Sequence, residues 1–341
     1  MNRRNSYWNP DLTASMAGDA TYGNGKWLRT RQHAGGQETT PGGLRILVVG
    51  TLVLDIVLAL KSRLEELGAA ISTGTEKIRA DWGVRARVGG FAAWASRVAY
   101  RTGARTWLSS VISLPTPTLF EEFFEQVNAD TTLLTAFPGP APASVQLLGP
   151  DGHLLLTRSG GVGHIPPSIP DDLADRFDAV VVNPGPQVAR KQIFDRLLRT
   201  KPQSDGGPTI AVCGRSDWSA AELGRIRDTG WFLFFNEGEA LEVARRIGCA
   251  HALGVNETAR LLKARVGASR LVITLGHRGA LILNGHKEPL HIAAVPVHEC
   301  DTTGAGDLLV AHTAIKRAKG FSDEESLAAA VSAVSQDISS Q

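Results

Sequence analysis

The residues best suited to chemistry lie near the carboxyl end of the sequence, where Asp-Thr-Thr-Gly-Ala-Gly-Asp occupies positions 301–307. The pattern of residues 308–319 predicts a helix directly after this string. Gly304 and Gly306 have no Cβ atom, so a ligand can approach the backbone closely, and the first amides of a helix lack partners within the helix. The sequence therefore predicts an anion-binding site around Gly304 and Gly306.

The carboxylate of Asp307 is placed to act beside such an anion. It follows Gly304 by three residues, and this spacing on a helix puts both on one side. In phosphoryl transfer an aspartate can align an acceptor hydroxyl and accept its proton. The alternative is structural: Asp301 with Thr302 or Thr303 caps the helix while the glycines ease packing. The complete string, with a carboxylate at each end, favours the functional interpretation.

Other common site motifs do not occur in the sequence. Gly25-Lys26 is followed by Trp27, so there is no P-loop, and Gly304-x-Gly306 lacks the third glycine of a dinucleotide fingerprint. Neither a Gly-x-Ser-x-Gly elbow nor a His-Glu-x-x-His zinc motif is present. These absences disfavour the commonest hydrolases and nicotinamide-dependent enzymes.

Composition points to a globular protein that acts on small molecules. The 341 residues are 43% hydrophobic, and the net charge of +2 comes without a dense basic run, so neither nucleic acid nor a membrane surface is implied. The three cysteines, Cys213, Cys249 and Cys300, are odd in number and widely spaced, which argues for a reducing compartment. No stretch has the pattern of a signal peptide or a membrane span, so we expect a cytoplasmic protein.

Short apolar runs alternate with helical segments from residue 44 onward. The runs are predicted as buried strands and occupy residues 44–50, 178–182, 209–213, 231–235 and 270–274, with helical stretches at 220–227 and 237–247 among them and a further extended segment at 293–297. This alternation predicts an α/β fold whose mainly parallel central sheet is covered by helices on both faces. Residues 1–43 lack periodicity and are predicted to be a disordered extension, which leaves 44–341 as a single domain.

Two segments interrupt the alternation and predict a small β lid. Residues 52–60 follow the first strand directly, and residues 144–158 contain Pro150-Asp151-Gly152 between two extended apolar runs, which is a strong hairpin signal. Strands inserted in this way can cover one edge of the central sheet.

The string at 301–307 resembles the C-terminal signature of the ribokinase-like carbohydrate kinases, also called the PfkB family. The similarity runs from about residue 44 to about residue 335. The resemblance implies a ribokinase-like fold, with Asp307 as the catalytic base and Gly304, Ala305 and Gly306 as the anion hole. It also implies ATP and Mg²⁺ as cofactors, and a monovalent cation such as K⁺ for which Asp301 is the candidate contact.

The resemblance further implies the residues of the nucleotide half. Those expected to contact ATP are Asn236, Thr274, Gly276, Gly279 and Thr303, and Glu239 is expected to organise the metal through water. Local alternatives remain open for both motifs. Residues 272–282 would have the same letters in a plain hairpin, and Asn236 with Glu239 would also form a helix capping box.

The acceptor half is implied by Asp55 and the Gly89-Gly90 pair. An unpaired charge within the apolar run around Asp55 would be costly to bury, which favours a polar ligand. Trp94 stands where the family usually has a substrate-binding asparagine, so it either stacks on a ring or packs in the core. Arg158 is a candidate for binding an acidic group, although a solvated arginine is the alternative. Gly163 likewise replaces a family asparagine.

We therefore expect an ATP-dependent phosphotransferase acting on a hydroxyl of a sugar or sugar-like small molecule. One alternative is a nucleoside or vitamin-precursor kinase on the same fold. Another is a sugar or nucleotide sensor without catalysis. Apolar lid strands make a homodimer a further hypothesis.

Overall fold

The computed structural model describes residues 43–59, 83–149, 152–162, 165–201, 203–248, 254–267, 269–285, 288–297 and 301–339. Residues 1–42 of the predicted extension lie outside the described residues. Pro150, Asp151 and Gly163 also lie outside them. Gly43–Gln341 is one compact unit. None of the helices in the described ranges has both the length and the apolar character needed to cross a bilayer.

An eight-stranded sheet forms the centre of this unit, in the order β14-β13-β12-β11-β10-β9-β1-β4. All neighbours pair in parallel except β13, which is antiparallel to both β12 and β14. The strands are β1 Arg45–Val49, β4 Arg105–Ser109, β9 Ala179–Val182, β10 Thr209–Cys213, β11 Phe232–Asn236, β12 Arg270–Thr274, β13 Ala280–Leu283 and β14 Leu290–Ile292.

Helices cover both faces of the sheet. They are α1 Phe91–Arg101, α2 Thr118–Gln126, α3 Leu173–Arg176, α4 Gln187–Leu197, α5 Ala220–Arg225, α6 Glu237–Arg246, α7 Val255–Val266, α8 Ala305–Ala318 and α9 Asp323–Ser339. Leu47 and Val180 join the cluster that includes α4, α6 and α7, whereas α1 and α8 pack on the sheet from the other side. Every residue of β9 is inaccessible to solvent, because a central parallel strand is buried on both faces. The predicted α/β architecture is confirmed.

A separate four-stranded sheet has the order β3-β2-β7-β8. Its strands are β2 Val53–Ala59, β3 Gly83–Gly89, β7 Ala143–Gly149 and β8 Gly152–Arg158, and a smaller pair joins β5 Val111–Leu114 to β6 Thr135–Pro138. β2, β7 and β8 lie in the two segments predicted to form the lid. β3 was missed, although Gly-Val-Arg-Ala-Arg-Val-Gly alternates apolar and charged residues with the period of a half-exposed strand.

The extended segment predicted at residues 293–297 is wrong as a strand. Among the described residues the last strand, β14, ends at Ile292, and residues 293–297 make no ladder. Pro296 lacks a backbone N–H and cannot donate to a neighbouring strand. The valines on either side of it are therefore not enough to make this segment a strand.

Candidate active site

The loop before α8 is shaped by one glycine in a left-handed conformation. Gly304 has φ 83° and caps the helix, and a Cβ atom there would lie 2.5 Å from the indole Nε1 of Trp94. Gly306 has open space at its Cβ position and is exposed to solvent. Ala305 donates its amide to the carbonyl of Thr302 at 3.1 Å. Gly304 is thus required by geometry, while Gly306 leaves the helix start accessible to a ligand.

Asp307 lies in the first turn of α8 and is half-buried. The pKa of its carboxyl group is raised to about 7, mainly by burial and also by the negative charges of Glu239 and Asp55. Two carboxylates from distant parts of the chain, Glu239 and Asp55, therefore act electrostatically on Asp307 at the start of this helix. A carboxyl group that titrates near neutral pH is suited to exchange protons with a hydroxyl.

A thiol joins these carboxylates. Cys213 ends β10, and burial together with the charges of Asp307 and Glu239 raises its pKa well above the ordinary value of 9.0. The sequence analysis used this cysteine only to infer a reducing compartment. Its position at the carboxyl end of a parallel strand, where α/β sheets bind ligands, was the signal that could have found it.

Asp55 is buried in β2, with 4% of its surface exposed, and is held by two neighbours. Ser144 on β7 donates a hydrogen bond of 2.6 Å to its Oδ1 atom. A Cβ atom on Gly89 would lie 1.8 Å from Oδ2, so only glycine fits beside this carboxylate. Burial raises the pKa of Asp55 despite the Ser144 hydrogen bond and the nearby charges of Arg87 and Arg97.

Gly90 completes the turn after β3. It has φ 81°, and a Cβ atom there would lie 2.5 Å from the carbonyl oxygen of Thr51. Both members of the Gly89-Gly90 pair are therefore needed for close approach of backbone or side chain. The two glycines thus form a turn without side chains next to Asp55.

Trp94 packs in the core, with 5% of its surface exposed. The guanidinium groups of Arg87 and Arg97 lie 5.0 and 4.8 Å from its ring centre, and the indole contacts Gly304. This arrangement agrees with the alternative that Trp94 packs in the core. From α1 its indole packs between the two arginines and the loop that precedes α8.

Arg87 connects the lid sheet to the loop at 301–304. It lies on β3, donates to Asp301 Oδ2 at 2.7 Å and stands 3.9 Å from Asp55 Oδ2. The other oxygen of Asp301 accepts the amide of Thr303 at 2.9 Å. Burial opposes ionisation of Asp301, but the hydrogen bonds from Thr303 and the charge of Arg87 hold its pKa below the ordinary value.

Thr303 makes the second link to the lid sheet. Its hydroxyl donates to Oε1 of Gln146 on β7 at 3.1 Å, and Gln146 is buried. Arg87, Ser144 and Gln146 were all missed from the sequence.

Asn236 and Thr274 are neighbours in the register of β11 and β12. Asn236 and Glu239 form a capping box, with Glu239 N donating to Asn236 Oδ1 at 2.8 Å and Asn236 N donating to Glu239 Oε2 at 2.9 Å. Burial raises the pKa of Glu239 as well, against the favourable hydrogen bond from Asn236. The capping alternative is thus present, and it fixes the carboxylate whose charge contributes to the raised pKa of Asp307.

The turn after Thr274 joins an antiparallel pair, β12 and β13. Gly276 and Gly279 have φ 60° and 98°, and a Cβ atom on Gly279 would lie 2.0 Å from the carbonyl oxygen of Ile292. Arg158, by contrast, is exposed at the end of β8 and forms no ion pair with the described residues.

The described ranges contain no cluster of three or more His, Cys, Asp or Glu side chains arranged as a metal site. Glu239 nevertheless suits magnesium, which keeps several waters and takes few protein ligands beside substrate phosphates. The start of α8 also suits an anion, because Gly306 is exposed and the first amides of a helix lack partners within the helix.

Residues 148–341 match the pfkB family of carbohydrate kinases. A search of curated protein sequences finds no match.

Solved structures with the same fold include three kinases. A ribokinase from Cryptococcus neoformans var. grubii serotype A in complex with ADP has a TM-score of 0.64 and 20% identity, over 88% of this chain and 95% of that one. An Arabidopsis thaliana ribokinase complexed with ribose and ATP has a TM-score of 0.66 and 18% identity, over 87% and 93%. A Burkholderia thailandensis nucleoside kinase in complex with inosine has a TM-score of 0.66 and 16% identity, over 86% and 90%.

Proposed function

Because the chain belongs to the pfkB family of carbohydrate kinases, we propose that it transfers the γ-phosphate of ATP to a hydroxyl of a sugar or sugar-like small molecule. The observation that carries this proposal is the position of Asp307 in the first turn of α8, where burial, with the charges of Glu239 and Asp55, raises its pKa to about 7. A raised pKa at a helix start with accessible amides supports a role in proton and phosphoryl transfer.

Asp307 takes the hydroxyl proton in this scheme. The acceptor oxygen attacks the γ-phosphorus, the bond to the β-phosphate oxygen breaks, and the proton of the hydroxyl passes to the Asp307 carboxylate. The backbone at Gly304, Ala305 and Gly306 would stabilise the negative charge that develops on the transferring phosphoryl group. Gly306, with its exposed backbone, is the most direct contact, since the Ala305 amide already donates within the turn.

ATP would lie along the ends of β11 and β12. Asn236, Thr274, Gly276, Gly279 and Thr303 are the proposed contacts, and neighbours solved with ADP and with ATP support nucleotide binding by this fold. Magnesium would supply positive charge to the phosphates, with Glu239 acting through water.

The acceptor would lie against Asp55 and the Gly89-Gly90 turn. Ser144 fixes the Asp55 carboxylate at 2.6 Å, which leaves Oδ2 to meet substrate hydroxyls. The four-stranded sheet would act as a lid, because its residues Arg87 and Gln146 contact the loop at 301–304. Excluding water in this way prevents hydrolysis of ATP. Arg158, exposed at the end of β8, is the proposed contact for an acidic group on the acceptor.

A nucleoside kinase is the second candidate, and the neighbour solved with inosine favours it over the vitamin-precursor alternative. A sensor without catalysis has no use for a carboxyl group held near pKa 7. Self-association is also proposed: Leu154, Leu155 and Leu156 are all exposed on β8, an edge of the lid sheet, where a second copy would cover them.

Acceptor-dependent ADP release in the presence of magnesium tests the proposal, using a panel of sugars, nucleosides and polyols. We expect turnover with at least one neutral acceptor. ATP binding measured by calorimetry, without ADP release across the panel, would support the sensor and refute the kinase. Light scattering tests self-association separately, with Leu155→Lys as the variant expected to be monomeric.

A further inference from the structure

Arg87 lies opposite Asp55 in the four-stranded sheet, where β2 and β3 pair in antiparallel register. Residues directly opposite in such a pair project from the same face, so the guanidinium and the carboxylate share one face of the sheet. Arg87 Nε lies 3.9 Å from Asp55 Oδ2, and Arg87 Nη2 donates to Asp301 Oδ2 at 2.7 Å. One side chain therefore reaches both the carboxylate proposed to meet the acceptor and the loop that precedes α8.

The two carboxylates beside Arg87 are almost withdrawn from solvent. The exposed fraction of the side chain is 5% for Asp55 and 6% for Asp301, against 18% for Arg87. Two buried negative charges are costly to hold near each other without a counter-charge. Burial is the main reason that the pKa of Asp55 is raised, and the charge of Asp301 adds to it, whereas the charge of Arg87 opposes the rise. Arg87 is thus the counter-charge that both carboxylates share.

Packing also ties Arg87 to the loop. Its guanidinium lies 5.0 Å from the centre of the Trp94 ring, and the same indole packs against Gly304, where a Cβ atom would lie 2.5 Å from its Nε1 atom. A guanidinium that stacks on an aromatic face is already ordered when it forms its hydrogen bonds. Arg87 therefore meets the loop in two ways, through Asp301 and through the indole beside Gly304.

The ion pair continues into the backbone of the loop. Asp301 accepts the amide of Thr303 through Oδ1 at 2.9 Å, and Gly304 follows directly as the cap of α8. A second link runs beside the first, since Gln146 on the neighbouring strand β7 accepts the Thr303 hydroxyl at 3.1 Å. A displacement of the four-stranded sheet that parts Arg87 from Asp301 therefore removes a support of the backbone proposed to hold phosphate.

We propose that Arg87 is a positioning residue that couples the acceptor site to the anion loop, so that nucleotide and acceptor each raise the affinity of the chain for the other. This inference rests on the proposed kinase function and says how its two substrate sites act on each other. An acceptor hydroxyl on Asp55 would hold the four-stranded sheet against the loop, and the supported loop would bind phosphate more tightly. Linkage makes the effect reciprocal, so the nucleotide alone would also hold the sheet in place.

Hydrogen exchange on the full chain tests the coupling without any acceptor. The probe is AMP-PCP, an ATP analogue that cannot transfer its γ-phosphate, with magnesium, and the readout is exchange of the backbone amides in β2 and β3. In wild type we expect AMP-PCP to slow this exchange at least about fivefold, the lower end of common coupling energies. In Arg87→Met the analogue should bind and leave the exchange unchanged.

Two further variants separate the charge of Arg87 from its packing. Arg85→Met is the matched control, because Arg85 lies on the same strand and face, two residues away, and is exposed; it should behave as wild type. Arg87→Lys keeps a positive charge that can reach one of the carboxylates and should restore part of the effect. If Arg87→Lys behaves as Arg87→Met does, Arg87 acts through packing alone and the proposal is overturned.

Calorimetry measures the reciprocal effect and separates this proposal from the kinase function. The acceptor with the fastest ADP release should lower the Kd of AMP-PCP about tenfold in wild type and in Arg85→Met, but not in Arg87→Met. Exchange that AMP-PCP leaves unchanged in wild type, or slows equally in Arg87→Met, would overturn the coupling and leave the kinase standing. Failure of AMP-PCP to bind wild type would overturn both. Slowing that depends on Arg87, without ADP release from any acceptor, would retain the link between loop and sheet and refute the kinase.

Discussion

Replacing Asp307 by asparagine gives a stability measurement whose sign is fixed by the structure. The folded pKa of Asp307 is about 7 against an ordinary value of 3.8. The unfolded carboxyl group therefore loses its proton at lower pH than the folded one. Its contribution to stability is fully present below pH 3.8 and is lost as pH rises through 7. Asparagine does not titrate and shows no such loss.

The expected size follows from linkage. Between pH 5 and pH 8 the wild type should lose about 2.5 kcal/mol of unfolding free energy relative to Asp307→Asn. Urea denaturation at both pH values, followed by circular dichroism, measures this difference. A difference between the two proteins that does not change with pH would refute the assignment of a raised pKa.

Asp337→Asn is a control with the opposite sign. Burial would raise the pKa of Asp337, but its hydrogen bond and charge contact with His312 and its pairing with Arg101 together lower it. Its stabilising contribution is present above the ordinary pKa and is lost as pH falls through the folded value. The variant should therefore be less stable than wild type at pH 8, and the gap should narrow in acid.

Three further outcomes are expected. Gly304→Ala should destabilise the protein by about 2 kcal/mol in urea unfolding, from its left-handed conformation and the steric clash, whereas Gly306→Ala should change stability by less than about 1 kcal/mol. Equal effects would contradict the loop geometry. Cys213 should react with iodoacetamide at pH 8 more than about tenfold slower in the folded than in the unfolded chain, because its pKa is raised. Equal rates would refute the raised pKa. Because Arg87 and an amide already occupy both oxygens of Asp301, ADP release should be equal in Na⁺ and K⁺ at constant ionic strength. Strong activation by K⁺ would show that a cation displaces Arg87.

Most of the strands and helices that position the site could be predicted from the sequence. Buried parallel strands consist of uninterrupted apolar residues, so the run at 178–182 predicted β9, and the helical stretches predicted at 220–227 and 237–247 contain α5 and α6. The loop at 301–307 could be predicted for a different reason. A position where φ is positive or a neighbour is close accepts few residues other than glycine, so the glycines mark the loop.

The contacts between the four-stranded sheet and the loop at 301–304 could not be predicted, because they join residues far apart in sequence. Arg87 and Asp301 are separated by 214 residues, and Thr303 and Gln146 by 157. Spacing within one element cannot indicate such pairs. The role of Trp94 was undecided for a similar reason, since its burial depends on Arg87, on Arg97 and on the glycine of a distant loop.

The turnover of Asp307→Asn tests the central claim most directly. ADP release would be measured with saturating ATP, magnesium and the best acceptor, beside wild type and Asp172→Asn, a surface control of the same chemistry whose side chain is 55% exposed. We predict that Asp307→Asn binds ATP normally and loses at least about 100-fold in kcat, as expected when a general base is removed. Wild-type turnover in Asp307→Asn would contradict the account.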